Sequence, residues 1–272
     1  YDLLSKRYGG YWRYDNLKDF CYLVNPFFPP KALNDEIKFC LTKLMQSYPS
    51  SQEVQALLGA KLFGVSQSCI VVGNGAAELI DQVTASLNGR FGIYGPTFEE
   101  YTARFKSVDL HVPGQEGFRY GKEDVLRLAA DNDGVILINP DNPSGNFISY
   151  DDIIEILEVL KPEGKFLVID ESFLDFADNG FESSVLNQND LNKFPNLIVI
   201  KSIGKSYGVG GLRLGVLASS NVDLINSIKK SVPIWNINSV AEFYLQIIGK
   251  YKSEYRESCE QLIRARSFLF QG

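Results

Sequence analysis

The chain has 272 residues, of which 45% are hydrophobic and 22% charged, a composition that is ordinary for a globular enzyme. Its formal net charge of −6 argues against a basic face for nucleic acid or an anionic membrane, and its apolar runs are too short to span a bilayer. The four scattered cysteines lack the spacing of a metal site and predict reduced thiols in a cytoplasmic protein.

An irregular start precedes a regular alternation of elements. Residues 1–32 are rich in aromatic residues and proline and predict an N-terminal arm. Helical patterns follow in ALNDEIKFCLTKLMQ and in SSQEVQALLGAKLFG, which begins at a serine cap. A strand is expected at VDLHVPG, whose His111 is interpreted as structural. Other apolar runs, most of them separated by helical patterns, lie at residues 69–72, 91–94, 134–138, 166–170, 197–200 and 214–218.

This alternation predicts an α/β fold. Continuous apolar strands between helices are typical of a mostly parallel sheet covered on both faces. Ligands of such sheets bind at the carboxyl ends of the strands. We predict a large domain over residues 33–235. From about residue 221 the pattern is purely helical, so residues 236–272 are expected to begin a smaller domain that is only partly present, in a native chain that extends further.

The stretch KSIGKSYGVGGLRLG, residues 201–215, places one lysine, Lys205, among small residues. Such a lysine can approach a ligand closely. Ser202 and Arg213 can bind a phosphate, since the guanidinium fork matches phosphate oxygens. A lysine beside a phosphate site suggests pyridoxal 5′-phosphate (PLP), whose aldehyde forms a Schiff base with a lysine amine. The segment is also consistent with a glycine-rich turn that carries a surface lysine.

Two further motifs begin helices after apolar runs. In GNGAAE, residues 73–78, the amides of Gly75, Ala76 and Ala77 can bind a phosphate at a helix N-terminus. The motif matches neither GxGxxG nor the P-loop, and many strand-to-helix turns share its glycines. In YGPTFEEY, residues 94–101, Phe98 can place a flat ring beside an aromatic ligand. A helix start with a core phenylalanine is the alternative.

Polar side chains also follow two other apolar runs. NPDNPSG, residues 139–145, forms a rigid loop from which Asn142 can donate its amide to a ligand oxygen, or it is a structural turn. In FLVIDES, residues 166–172, Asp170 is costly to bury unless it is paired. One good partner is a protonated ring nitrogen, which PLP needs to act as an electron sink. Capping a turn is the alternative.

These motifs occur in one order, each at a strand end. From about residue 25 to residue 272 the chain resembles the PLP-dependent aminotransferases of the aspartate aminotransferase superfamily, fold type I, class I and II. VNPFFPP, YPSSQEVQALLGAKLFGV and the motifs above are most similar to the branch of histidinol-phosphate aminotransferase and threonine-phosphate decarboxylase. The resemblance implies a three-layer fold with a mostly parallel seven-stranded sheet.

The resemblance also implies roles for individual residues. Lys205 would form the Schiff base and move a proton between the substrate Cα and the cofactor. Asp170 would pair with the ring nitrogen and Asn142 with the ring 3-oxygen, while Phe98 would stack on the ring. The phosphate would be held by Ala76 and Ala77 at the start of the helix and by Ser202 and Arg213 in the lysine segment.

Other positions concern the dimer interface, contact with the substrate, and one difference from the usual family pattern. Tyr48, in YPSSQ, matches the tyrosine that reaches the neighbouring subunit's cofactor, so a homodimer with shared active sites is implied. Phe173 stands where the family usually has a tyrosine whose hydroxyl contacts the ring 3-oxygen. We therefore expect a Phe173→Tyr variant to show a different spectral titration. Tyr8 and Asn25 are candidates for substrate contact.

Amino transfer between a small amino compound and a 2-oxo acid is the leading hypothesis for the activity. The amino compound is expected to be one that can carry a phosphate or phosphonate. The alternative is a decarboxylase of the threonine-phosphate type, which differs in the bond at Cα that lies perpendicular to the cofactor ring. A PLP-binding regulatory module is disfavoured by the complete lysine, aspartate and arginine set. A nucleotide-binding oxidoreductase is disfavoured because no GxGxxG follows the first apolar run.

Overall fold

The computed structural model describes residues 9–114 and 117–271. Its seven strands form one sheet in the order β1-β7-β6-β5-β4-β2-β3. Only β7 runs antiparallel to its neighbours, β1 and β6, and the other pairs are parallel. The mostly parallel seven-stranded sheet is therefore confirmed. The strands are β1 (Ile70–Asn74), β2 (Phe91–Tyr94), β3 (Val108–His111), β4 (Gly134–Ile138), β5 (Phe166–Asp170), β6 (Leu197–Ser202) and β7 (Leu214–Ala218).

Helices cover both faces of the sheet. Asparagine or serine side chains accept a first-turn amide at the starts of α6, α7, α9 and α10, which satisfies donors that have no partner within the helix. Ser51 lies at the expected cap position of α2, but its side chain makes no capping bond. The α-helices are α1 (Lys31–Met45), α2 (Gln52–Phe63), α3 (Ala76–Ser86), α4 (Glu99–Arg104), α5 (Lys122–Ala130), α6 (Tyr150–Leu160), α7 (Gln188–Lys193), α8 (Ile203–Ser206), α9 (Val222–Ser231), α10 (Ser239–Ile247) and α11 (Lys252–Gln271).

Two apolar layers lie on the two sides of the sheet. In β6, Ile198 and Ile200 face the layer that contains α3, α4 and α9. Val199 faces the layer formed with α1, α2, α5, α6, α7, α10 and the start of α11. Each such side chain is fully buried and stabilises the fold by about 1.5–3 kcal/mol. The arrangement is the three-layer architecture that the alternating pattern predicts.

The strand register gathers the sequence motifs. Asp170, the last residue of β5, pairs with Ile138 at the end of β4 and with Ile200 near the end of β6. In the antiparallel pair, Asn74 at the end of β1 lies opposite Leu214 at the start of β7. The segments that follow β4, β5 and β6 therefore share one edge, and the GNGAAE turn meets the residues that precede β7.

The arm packs on the segment that follows β6. The backbone amide of Asn25 donates to the carbonyl oxygen of Lys205 at 3.0 Å. Gly208 has φ +67°, and a Cβ there would lie 1.8 Å from the carbonyl oxygen of Phe28. Only glycine allows both this backbone conformation and this approach, so Gly208 fixes the arm against the lysine segment.

The C-terminal helices extend the second apolar layer before the chain leaves it. Helix α10 packs on α1 and α2, and α11 buries Tyr255, Ser258 and Cys259 in its first half. The boundary between the large domain and a smaller domain stays a prediction. No helix within residues 9–114 and 117–271 is long and apolar enough to cross a membrane.

Candidate active site

Lys205 lies in α8, directly after β6, and is partly buried. Its Nζ is 5.7 Å from the ring centroid of Phe173 and 6.0 Å from that of Tyr22. Burial and then the positive charge of Arg213 lower the pKa of Lys205, and the negative charge of Asp170 acts in the opposite direction. A lower pKa increases the neutral fraction of the amine, which is the form that attacks a carbonyl carbon.

The turn before α3 and the residue before β7 form a cationic pocket. Gly75 has φ +81°, and a Cβ there would lie 2.6 Å from a guanidinium nitrogen of Arg213. A Cβ on Gly215 would lie 2.6 Å from the backbone nitrogen of Ala76. The guanidinium therefore borders the N-terminus of α3, where the amides of Ala76 and Ala77 have no partner within the helix. Among the described residues, Arg213 forms no ion pair, so its charge is available for an anion.

Ser202 ends β6 and joins two loops of the site. Its backbone amide donates to the hydroxyl of Ser172 at 2.8 Å, and its own hydroxyl lies 3.6 Å from where a Cβ on Gly204 would stand. That same Cβ would be 3.1 Å from the Cα of Gly210. This close backbone approach favours glycine at position 204.

Asp170 is buried at the end of β5. One carboxylate oxygen accepts from the Tyr101 hydroxyl at 2.8 Å, and the other accepts from the backbone amide of Ser172 at 2.8 Å. Burial raises the pKa of Asp170, against the effect of these hydrogen bonds. Burial and the Asp170 charge raise the pKa of Tyr101, so its hydroxyl stays a donor. The two bonds leave lone pairs on the carboxylate for a ring N–H.

Tyr101 was missed by the sequence reasoning, although it lies in YGPTFEEY, three positions after Phe98. The available signal was its place on the apolar face of a short helix, where a buried tyrosine hydroxyl requires a hydrogen-bond partner. The carboxylate that serves as this partner lies 69 residues away in the chain, which the sequence did not reveal.

Two neighbouring loops carry Phe98 and Asn142. Phe98 is partly exposed just before α4, and its ring meets Tyr101 edge-on at 6.4 Å. Asn142 is exposed, and its side chain makes no hydrogen bond within the described part of the chain. Asp141 joins the loops, because one of its carboxylate oxygens accepts from the Thr97 hydroxyl at 2.7 Å and from the backbone amide of Asn142 at 2.8 Å. Sequence reasoning did not single out Asp141.

Of the three remaining predicted residues, two lie within the described part of the chain. Tyr48 is 78% exposed and stacks on Trp235 at 4.3 Å, and none of its contacts with described residues involves the lysine site. The buried amide of Asn25 donates to the Ser206 carbonyl and the Ser258 hydroxyl, both at 2.9 Å. These bonds anchor the arm, and substrate contact by Asn25 stays an untested prediction. Tyr8 lies outside the described residues.

A buried ion pair links β6 to the segment that follows β5. Lys201, in β6, is 4% exposed, and its Nζ lies 2.9 Å from a carboxylate oxygen of Asp175. The other oxygen accepts from the Tyr255 hydroxyl of α11 at 2.7 Å. Burial alone would lower the pKa of Lys201, but the charges of Asp175 and Glu171 outweigh it and raise that pKa. This pair was also missed, although a lysine inside the apolar run LIVIKS was a signal.

Comparison with known proteins identifies the family. The chain belongs to the class I and II aminotransferases, whose family model matches residues 26–272. PLP is the cofactor, and the described residues fit it. A cationic helix N-terminus suits a phosphate, a buried carboxylate suits a ring N–H, and a lysine of lowered pKa suits an aldehyde.

Individual relatives confirm the predicted branch. The chain is 30% identical to the CMP-5′-(3-aminopropyl)phosphonate synthase of Streptomyces rubellomurinus, over 99% of this chain and 43% of that protein. It is 31% identical to the L-serine phosphate decarboxylase of Campylobacter jejuni, over 94% of this chain and 71% of that protein. The crystal structure of histidinol-phosphate aminotransferase from Clostridium acetobutylicum matches with a TM-score of 0.76 and 28% identity, over 89% of this chain and 72% of that chain. The chain thus spans less than half the length of the first of these relatives.

Proposed function

We propose that this chain is the PLP-binding part of an enzyme that transfers an amino group between a small amino compound and a 2-oxo acid. One observation carries the proposal: Lys205, in the segment after β6, shares one edge of the sheet with the buried carboxylate of Asp170 and with Arg213, whose guanidinium borders the N-terminus of α3. When bound, PLP supplies an electron sink for negative charge at the carbon beside the amino group.

The residues of the chain have separate tasks in this proposal. Lys205 would hold PLP through its amine, and it would move the proton at the substrate Cα when that amine is free. Asp170 would keep a proton on the ring nitrogen. Hydrogen bonds from the Tyr101 hydroxyl and the backbone amide of Ser172 hold the Asp170 carboxylate in position. Arg213 and the N-terminus of α3 bind the phosphate. Phe98 and Asn142 hold the ring.

We infer that the amino compound carries a phosphate or phosphonate group. Two relatives at about 30% identity support this, one named for an aminopropylphosphonate and one for L-serine phosphate. The second relative also favours the alternative activity, a PLP-dependent decarboxylation on the same fold. Both reactions use the same lysine, and they differ in which bond at Cα the pocket aligns for cleavage.

Product analysis tests the two activities. The full-length holoenzyme would be incubated with phosphoserine, phosphothreonine, aminoethylphosphonate, alanine or glutamate, with 2-oxoglutarate or pyruvate as acceptor. Transfer predicts a new amino acid from the acceptor and an equal amount of carbonyl product from the donor. Carbon dioxide without carbonyl product would establish decarboxylation. A turnover that persists in Lys205→Ala would contradict both.

We also propose that two copies share their active sites. Tyr48 and several large apolar side chains of α1 and of the segment after α9 are exposed, and burying them against a second copy would be favourable. The Tyr48 loop is held in place, since the amide and hydroxyl of Ser50 both donate to Glu242 at 2.6 Å. This anchoring supports the implied contact with a neighbouring cofactor. The exposed apolar side chains are Phe39, Met45, Ile234 and Trp235.

The cytoplasmic location of the protein stays a prediction.

A further inference from the structure

The N-terminal arm brings an aromatic ring to the amine of Lys205. The ring centroid of Tyr22 lies 6.0 Å from Nζ, nearly as close as that of Phe173 at 5.7 Å. The Tyr22 side chain is 38% exposed, so most of it is covered by the protein. Neither the motifs nor the resemblance pointed to Tyr22.

Several contacts fix this ring relative to the lysine. A carboxylate oxygen of Asp19 accepts from the backbone amide of Tyr22 at 3.2 Å and from that of the preceding residue at 2.7 Å. The ring of Tyr11 packs on the Tyr22 ring at 5.6 Å. Three residues later in the chain, the backbone amide of Asn25 donates to the backbone carbonyl of Lys205. The arm therefore presents Tyr22 to the site as an anchored side chain.

We propose that Tyr22 is a residue of the active site, whose ring covers the Lys205 amine on the side of the arm and limits the access of water to it. The inference rests on the proposed function of Lys205. At 6.0 Å an attraction between the amine and the ring face is at its outer limit. Exclusion of water is therefore the larger effect, and it favours the neutral amine. The ring, and not the hydroxyl, carries this effect.

A labelling experiment on the cofactor-free full-length protein tests the inference without requiring activity. Lys205 would be labelled with an amine reagent over a range of pH, and modification would be measured by mass spectrometry. Tyr22→Ala should admit water and shift the midpoint of labelling upward, toward that of an ordinary lysine. Tyr22→Phe keeps the ring and should match the unaltered protein. In the holoenzyme, Tyr22→Ala should also release PLP faster, because water would reach the bond between Lys205 and the cofactor more easily.

Phe20→Ala provides the matched control, because Phe20 lies on the same arm and is 96% exposed. It should change neither the labelling midpoint nor the release of PLP. If Tyr22→Ala gives the same values as Phe20→Ala, the inference is wrong. If Tyr22→Ala does not fold, as judged by its thermal unfolding, Tyr22→Ser replaces it, and a midpoint equal to that of the unaltered protein would overturn the inference. Absence of a Lys205-dependent PLP band in the unaltered protein would instead overturn the proposed function.

Discussion

Two charged side chains act on the pKa of Lys205 in opposite directions: Arg213 lowers it and Asp170 raises it. Removing the positive charge in Arg213→Met should raise the pKa of Lys205, so the amine would become reactive at a higher pH. Removing the negative charge in Asp170→Asn should lower that pKa further. The pH dependence of Lys205 labelling in the cofactor-free protein measures both shifts.

Arg264→Met serves as the control for the loss of a positive charge, because Arg264 is exposed and pairs with Glu260 on α11. It should leave the labelling curve of Lys205 unchanged. A downward shift in Arg213→Met, or an equal shift in Arg264→Met, would contradict the electrostatic account of the site.

At the scale of elements, the buried Lys201–Asp175 pair ties β6 to the loop after β5, and the Tyr255 hydroxyl ties that loop to α11. Lys201→Met leaves the carboxylates of Asp175 and Glu171 buried without a positive partner. We expect the free energy of unfolding to fall by about 3–5 kcal/mol at neutral pH. The loss should shrink as the pH falls, because burial raises the pKa of Glu171 and its protonated form no longer carries an uncompensated charge.

Urea unfolding of Lys201→Met and Lys193→Met at two pH values would test this expectation. Lys193 pairs with Glu158 on the surface, and both side chains are about half exposed, so its removal should cost at most about 1 kcal/mol. Equal losses in the two variants would show that the buried pair has no special effect on stability.

Gly208 connects the lysine segment to the arm. In Gly208→Ala the new Cβ would strain a backbone at φ +67° and collide with the Phe28 carbonyl, so the arm should detach. Faster proteolysis of residues before Pro30 is the expected result. Gly211→Ala, where a Cβ would meet nothing within 4 Å, is the matched control and should be cleaved at the rate of the unaltered protein. An equally resistant Gly208→Ala would contradict the observed packing.

The strands were predictable because buried strands leave continuous apolar runs, as in GVILI and LIVI. The placement of Lys205, Asp170 and Arg213 at one edge of the sheet was predictable because each lies at, or within a few residues of, one end of such a run. Tyr101 and Tyr22 were not, because their partners at Asp170 and Lys205 lie far away in the sequence. Only the folded chain brings those side chains together.

At the scale of the whole molecule, Tyr48 and the lysine site of one chain are separate, and the proposed homodimer would join them across the interface. Mixing Lys205→Ala with Tyr48→Ala tests this arrangement. Random reassociation would make half of the dimers mixed, each with one complete site, so activity should recover to about a quarter of the unaltered level.

Lys205→Ala mixed with Arg213→Met is the matched control, because the structure places both residues in the site of a single chain. That pair should recover no activity. If the Tyr48 mixture also fails to recover, while each variant still dimerises, Tyr48 does not serve a neighbouring site.

The most direct test of the account is the visible absorption spectrum of the full-length protein with PLP, recorded beside that of Lys205→Ala. We expect a yellow band that requires Lys205 and that bleaches when a suitable amino donor is added. A Lys205-dependent band that no donor bleaches would favour decarboxylation over amino transfer. If the unaltered protein shows no band, or Lys205→Ala shows the same one, Lys205 does not bind PLP and the proposed function is wrong.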